Sequence, residues 1–235
     1  MLEKPVASER SQASPSTILL TGASGYLGRF LCLTLLSSLA QNGGKLICIA
    51  RGKDDAVARQ RLARSFESRD HSLSQKFTTL SEEHLEVFAV DIGLPRLGLD
   101  DSIWERVSKE ADTIVHAGAH VNHLLTYSQL FDANVLGTTE LIELALTDRR
   151  KKFVFISSIA VAAPLGERAA IDEESDIRIA LPKVAVDRNY ANGYATSKWA
   201  GEVLLREANE KYDLPVTVFR SSMILAHRDY AEELL

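Results

Sequence analysis

Cysteine is scarce in this chain: Cys32 and Cys48 are the only two in 235 residues, each inside an apolar segment and neither with a His or Cys at metal-ligand spacing. That pattern favours two buried free thiols over a disulfide or a zinc site. Long apolar runs are missing too. No stretch approaches the ~18 uncharged residues of a membrane span, and the N-terminus, with Glu3, Lys4 and Pro5, lacks an apolar signal core. Nor is there a basic excess, since 27 Lys and Arg stand against 32 Asp and Glu for a formal net charge of -5, which argues against a nucleic-acid partner. What remains is a mildly acidic globular chain, expected in the cytoplasm with no membrane contact. Its length suits one large α/β domain and is short for two.

Met1 to Ser16 are polar, hold two prolines and show no sustained periodicity, which marks a flexible leader or the end of an interdomain linker and leaves 17–235 as the folded domain. Short β-branched apolar runs then recur at Thr17 to Thr21, Lys45 to Ala50, Leu85 to Val90, Thr113 to Ala117, Phe153 to Ser157 and Val216 to Phe219. Helical stretches separate them, so a Rossmann-type, doubly wound parallel sheet of six strands is predicted. Tyr26 to Leu39 is apolar almost all round, as a helix covered by a sheet and its neighbours should be, and Ser128 to Leu146 reads as a second such helix. The connection from Arg51 to His84 exceeds the needs of one crossover helix, and its Arg59, Arg61, Arg64 and Glu67 read as a solvated helical face.

Thr21-Gly22-Ala23-Ser24-Gly25-Tyr26-Leu27-Gly28 follows the first strand and opens the first helix, the context that a dinucleotide fingerprint requires. Gly22 permits the tight turn, Gly25 lets backbone amides approach a pyrophosphate, and Gly28 lets helix and strand pack closely. An NAD site usually carries an acid about 20 residues further on, at the end of the second strand. Here that strand ends in Arg51, followed by Gly52 and Lys53. A guanidinium cannot accept from a ribose hydroxyl but pairs bidentately with a 2′-phosphate, and Arg61 on the next helix can return to the same place. NADPH is therefore expected over NADH. Asp91 closes the third strand, placed for the adenine edge, while Gly118 and Ala119 close the fourth, where a bulky side chain would collide with the cofactor. His116 and His120 flank that turn as satisfied polar residues.

Tyr194-Ala195-Thr196-Ser197-Lys198 is the most informative pentapeptide. Residues four apart share a helix face, so the Lys198 ammonium lies near the Tyr194 phenol, where it is expected to lower the phenol's pKa toward the working range of a proton donor. The partner hydroxyl comes from the end of the fifth strand. Ser158 is a better candidate than Ser157 because it sits last before the chain leaves the strand, and Tyr194 follows it by about 36 residues.

These residues resemble the extended short-chain dehydrogenase/reductase superfamily. Several stretches are closer still to the C-terminal thioester reductase domains of carboxylic acid reductases and nonribosomal peptide synthetases: Leu19 to Leu27, Leu46 to Leu62, His120-Val121-Asn122-His123, Tyr127 to Phe131, Asn134 to Thr138, Tyr190 to Tyr194 and Ser197 to Glu202. The resemblance covers Thr17 to about Leu225. It implies that Ser24 to Leu27, Arg51, Arg61, Asp91, Ile92, Gly118, Ala119, His120, Ser158, Tyr194 and Lys198 line an NADPH site, with Ser158 where such domains often have Thr and Lys53 where they often have a second Arg. It also implies that a carrier protein presents an acyl thioester on its phosphopantetheine arm, to be reduced to an aldehyde. Such domains continue past the sixth strand into a smaller helical substrate subdomain, whereas this sequence stops at Leu235, so that subdomain is expected to be truncated and the acyl pocket open on one side. Two other readings fit the same residues: a nucleotide-sugar epimerase or dehydratase, and a non-catalytic NADPH-binding sensor or scaffold.

Overall fold

The computed structural model describes residues 16–67, 71–168, 171–225 and 227. The leader read at 1–16 lies, apart from Ser16, outside them. Six strands, β1 (Thr17–Thr21), β2 (Lys45–Ala50), β3 (Leu85–Ala89), β4 (Thr113–His116), β5 (Lys152–Ser158) and β6 (Val216–Ser221), form one sheet. Its order is β3-β2-β1-β4-β5-β6, and every neighbouring pair is parallel. The strand boundaries differ from the sequence expectation by only a residue or two.

Between the strands run α1 (Tyr26–Ala40), α2 (Asp55–Arg64), α3 (His71–His84), α4 (Asp101–Glu110), α5 (Tyr127–Phe131), α6 (Gly137–Leu146), α7 (Ile177–Ala180) and α8 (Asn192–Tyr212). The long connection from Arg51 to His84 is thus two helices, with Asp54 capping the first by accepting from Val57 N at 2.8 Å. The single helix expected over Ser128 to Leu146 is interrupted. A π-helical turn, Asp132–Leu136, separates α5 from α6, and Gly137 N donates to Asp132 O across it.

Both faces of the sheet are covered, as a parallel sheet requires. On one face Leu20, Leu46, Cys48 and Val87 pack against Phe30, Leu33 and Leu36 of α1, Leu62 of α2 and Phe77 of α3. On the other, Leu19, Ile47, Ile114 and Phe153 meet Trp104 of α4, Leu141 and Ala145 of α6 and Leu205 of α8. Cys32 and Cys48 are free and buried. No helix among the described residues is long and apolar enough to cross a membrane, and they hold no group of His, Cys, Asp and Glu arranged for a metal.

Candidate functional site

The chain leaves β1 and β4, neighbours in the sheet, toward opposite sides, which opens a crevice at the carboxyl ends of the strands. The first turn there is the glycine loop. Gly22 adopts φ +73°, and a Cβ on Gly28 would lie 1.8 Å from Gly22 O, so helix and loop touch backbone to backbone. Gly25 caps α1 without a side chain, and no acidic residue stands in the first helical turn. The backbone amides and the positive end of the helix dipole are therefore left for an anion.

A cavity of about 560 Å³ fills the crevice. Thr21, Gly22, Ser24, Gly25, Tyr26, Leu27 and Gly28 form its floor, with Arg51 and Arg61 to the β2 side. Asp91 and Ile92, then Gly118, Ala119 and His120, come from the turns after β3 and β4, and Ser158, Tyr194 and Lys198 from β5 and α8. All the site residues named from the sequence thus border one space. Ser221, Ser222 and Ile224, which follow or end β6, border it as well and carried no sequence signal.

The two serines ending β5 are engaged differently. Ser157 Oγ donates to Glu202 Oε1, and Arg220 holds the same carboxylate with Nη2 at 2.8 Å from Oε2. Ser158 Oγ accepts from Ala160 N at 3.1 Å, which leaves its own proton for the cavity. Lys198 is 3 % exposed and its Nζ donates to Ile156 O at 2.8 Å. Burial pushes its ammonium down to about 8, against the opposing pull of Glu202. Tyr194 departs from the sequence expectation. Burial raises its phenol above the ordinary value, and the Lys198 ammonium donates to the Ile156 carbonyl.

His116 is buried at the end of β4, between two threonines. Thr138 Oγ1 donates to Asn134 O at 2.7 Å, so it accepts from His116 Nε2 at 3.1 Å. His116 Nδ1 is then the acceptor for Thr21 Oγ1 at 2.7 Å, which frees the Thr21 oxygen to accept from Gly118 N at 2.8 Å. This assignment needs the neutral ring, and burial does push the imidazole well below its ordinary pKa. The satisfied polar role read from the sequence fits this pairing. Asn134, in the π turn, was quoted from the sequence only as part of a resembling stretch. Its Oδ1 accepts from His120 N at 2.7 Å, and its Nδ2 donates to Ser197 Oγ at 2.9 Å. Ser197 Oγ in turn donates to Tyr194 O at 2.8 Å, so one buried amide ties the turn after β4 to the helix that carries Tyr194 and Lys198.

A doubly wound sheet that sets a glycine loop across its crevice from a Tyr-x-x-x-Lys helix defines a nicotinamide-binding domain of the short-chain dehydrogenase type. The chain belongs to the family described as Male sterility protein, an NAD-binding family whose model matches residues 20–232. It is 49% identical to a carboxylic acid reductase of Segniliparus rugosus over 242 residues, covering 99% of this chain and 20% of that protein. It is also 49% identical to an isonitrile lipopeptide synthase of Mycobacterium tuberculosis, covering 93% of this chain and 9% of that protein. Among solved structures it resembles the reductase domain of a nonribosomal peptide synthetase from M. tuberculosis, with a TM-score of 0.85, 45% identity, and coverage of 97% of this chain and 51% of that one. The chain thus spans a fifth or less of these two relatives and about half of that solved domain.

Proposed function

We propose that this chain is the cofactor-holding part of an NADPH-dependent reductase that releases an acyl group, delivered as a thioester on the phosphopantetheine arm of a carrier protein, as an aldehyde. The observation that carries the proposal is the single cavity joining Arg51 and Arg61 on the β2 side to Ser158, Tyr194 and Lys198 on the β5 side. A dinucleotide laid across the crevice would place its 2′-phosphate at the guanidiniums and its pyrophosphate at the uncapped start of α1. Carboxylic acid reductase and isonitrile lipopeptide synthase relatives support the reaction class.

Bound NADPH supplies the hydride. The chain's own residues hold the carbonyl and manage the proton. Ser158, with its oxygen fixed by Ala160 N, and Tyr194 donate to the thioester oxygen as negative charge grows there, and donors already aimed at such an oxygen are typically worth ~3–4 kcal/mol each. Tyr194 then gives up its proton, and the hemithioacetal collapses to aldehyde and thiol. Lys198, still mostly charged at neutral pH with its pKa of about 8, supports the phenolate as it forms and holds the ribose. The test is NADPH oxidation with a range of acyl-pantetheine thioesters, run on this chain and on a version extended to the length of the solved reductase domain. Thioester-dependent oxidation supports the reading. Turnover of a nucleotide sugar in its place would establish the epimerase alternative, and cofactor binding with no turnover in either version would establish the sensor.

A further inference from the structure

Beside the cofactor cavity lies a second one of about 430 Å³, which shares Arg51 and Arg61 with it and is completed by Gly52, Val57, Gln60 and Arg64. Val57, Gln60, Arg61 and Arg64 follow one another at spacings of three, one and three, so they form one stripe of α2. Three guanidiniums therefore border one small space, and no carboxylate lines it. The acids at the start of α2 are engaged elsewhere: Asp54 caps the helix, and Asp55 Oδ1 accepts from Ala89 N at 2.7 Å. Arg59 belongs to a different face, donating to Ser81 O at 3.0 Å and Leu85 O at 3.3 Å, and so ties α2 to the junction of α3 and β3. Arg51, Arg61 and Arg64 form no ion pair among the described residues. The face that reads from the sequence as merely solvated is exposed, but half of it borders a cavity that like charges alone would make unfavourable and a dianion would relieve.

We propose that Arg64 is a specificity-determining residue, the third guanidinium of a phosphomonoester site that with Arg51 and Arg61 selects the 2′-phosphate of the dinucleotide's adenosine. This inference rests on the NADPH reading above. A phosphomonoester carries close to two charges and three acceptor oxygens at neutral pH, so it can use a third donor that a ribose hydroxyl cannot. Arg64 stands in the last turn of α2, where a cation also suits the helix dipole, so its removal leaves the sheet and the glycine loop untouched.

The experiment is equilibrium titration of the purified chain and its Arg64→Ala and Arg64→Lys variants with NADPH, NADH, 2′,5′-ADP and 5′-AMP. Arg64→Ala is expected to raise the Kd for NADPH and 2′,5′-ADP about three- to tenfold, as befits one charged donor at a half-open site. NADH and 5′-AMP should stay within about twofold, and Arg64→Lys should fall between, since it keeps the charge and loses the fork. If the unmutated chain prefers NADPH while Arg64→Ala leaves that preference intact, the role given to Arg64 is wrong and the cofactor reading survives. Equal weakening of all four ligands would show a structural effect and also overturn the role. If the unmutated chain binds NADH as tightly as NADPH, the cofactor reading itself falls.

Discussion

The ammonium of Lys198 donates to the Ile156 carbonyl at 2.8 Å and lies 4.7 Å from the centre of the Phe155 ring. A cation is thus buried between a strand carbonyl and an aromatic face, beside the cavity that Tyr194 also lines. Such a position is costly to fill with charge, and burial accordingly pushes the ammonium's pKa down to about 8.

Replacing Lys198 by Met should therefore stabilise the fold while removing turnover. Relieving the buried charge is worth roughly 3 kcal/mol, offset by about 1 kcal/mol for the Ile156 carbonyl losing its donor, which leaves a gain of ~2 kcal/mol at pH 7. An unfolded lysine keeps its proton up to about 10.5, whereas Lys198 releases it near 8. Between these values the unfolded chain binds more protons, so rising pH favours the native state of the unmutated protein and the advantage of Met shrinks. Urea unfolding at pH 7 and pH 10 reads this directly. An unchanged or lowered midpoint at pH 7 would refute the burial argument.

The three proposed catalytic residues should separate by mutation. Tyr194→Phe keeps the ring and loses the proton, so turnover should drop by a factor of ~10²–10⁴ with NADPH affinity nearly unchanged. Ser158→Ala should cost less, because Tyr194 still covers the carbonyl. Lys198→Ala should weaken both cofactor binding and turnover. Near-normal turnover by Tyr194→Phe at saturating substrate would mean that another group delivers the proton.

Arg51→Ala should discriminate between cofactors. Loss of a bidentate charged contact raises the Kd for NADPH by about 10- to 100-fold, while NADH gives the guanidinium nothing to clamp and should change by less than about twofold. Parallel losses for the two cofactors would place Arg51 outside the 2′-phosphate site.

Ala191, immediately before α8, adopts φ 61°, in the left-handed region, and its N–H donates to His123 O at 2.9 Å. Ala191→Gly removes the Cβ conflict and keeps that bond, so a gain of about 0.5–1 kcal/mol, or ~1–4 °C in Tm, is expected with little change in activity. A lower Tm would show that the greater freedom of Gly in the unfolded chain outweighs the strain.

Much of this was legible because it is local. The alternation of β-branched runs with helices located all six strands, and the glycine loop and the Tyr-x-x-x-Lys spacing each declared themselves within a few residues. Ser157 and Ser158 both line the cavity, and the sequence singled out Ser158 only by its place at the end of β5. What the sequence hid depends on residues far apart in the chain. Nothing near Ser157 announces Glu202 and Arg220, and nothing near His116 announces that Thr21 and Thr138 fix its tautomer. The expected lowering of the Tyr194 phenol failed because the side chain is largely buried, which helical spacing alone does not show.

The π turn at Asp132–Leu136 makes the stretch from Tyr127 to Leu146 a single rod read in two frames. Upstream of Gly137, the frame aims Asn134 at His120 and Ser197; downstream, it aims Leu141, Leu144 and Ala145 at the sheet. Each residue of an α-helix advances about 100°, so deleting one residue from the turn would restore a regular helix but rotate one set away from its partners by that angle. This rod therefore cannot change its length by one without giving up one of its two sets of contacts.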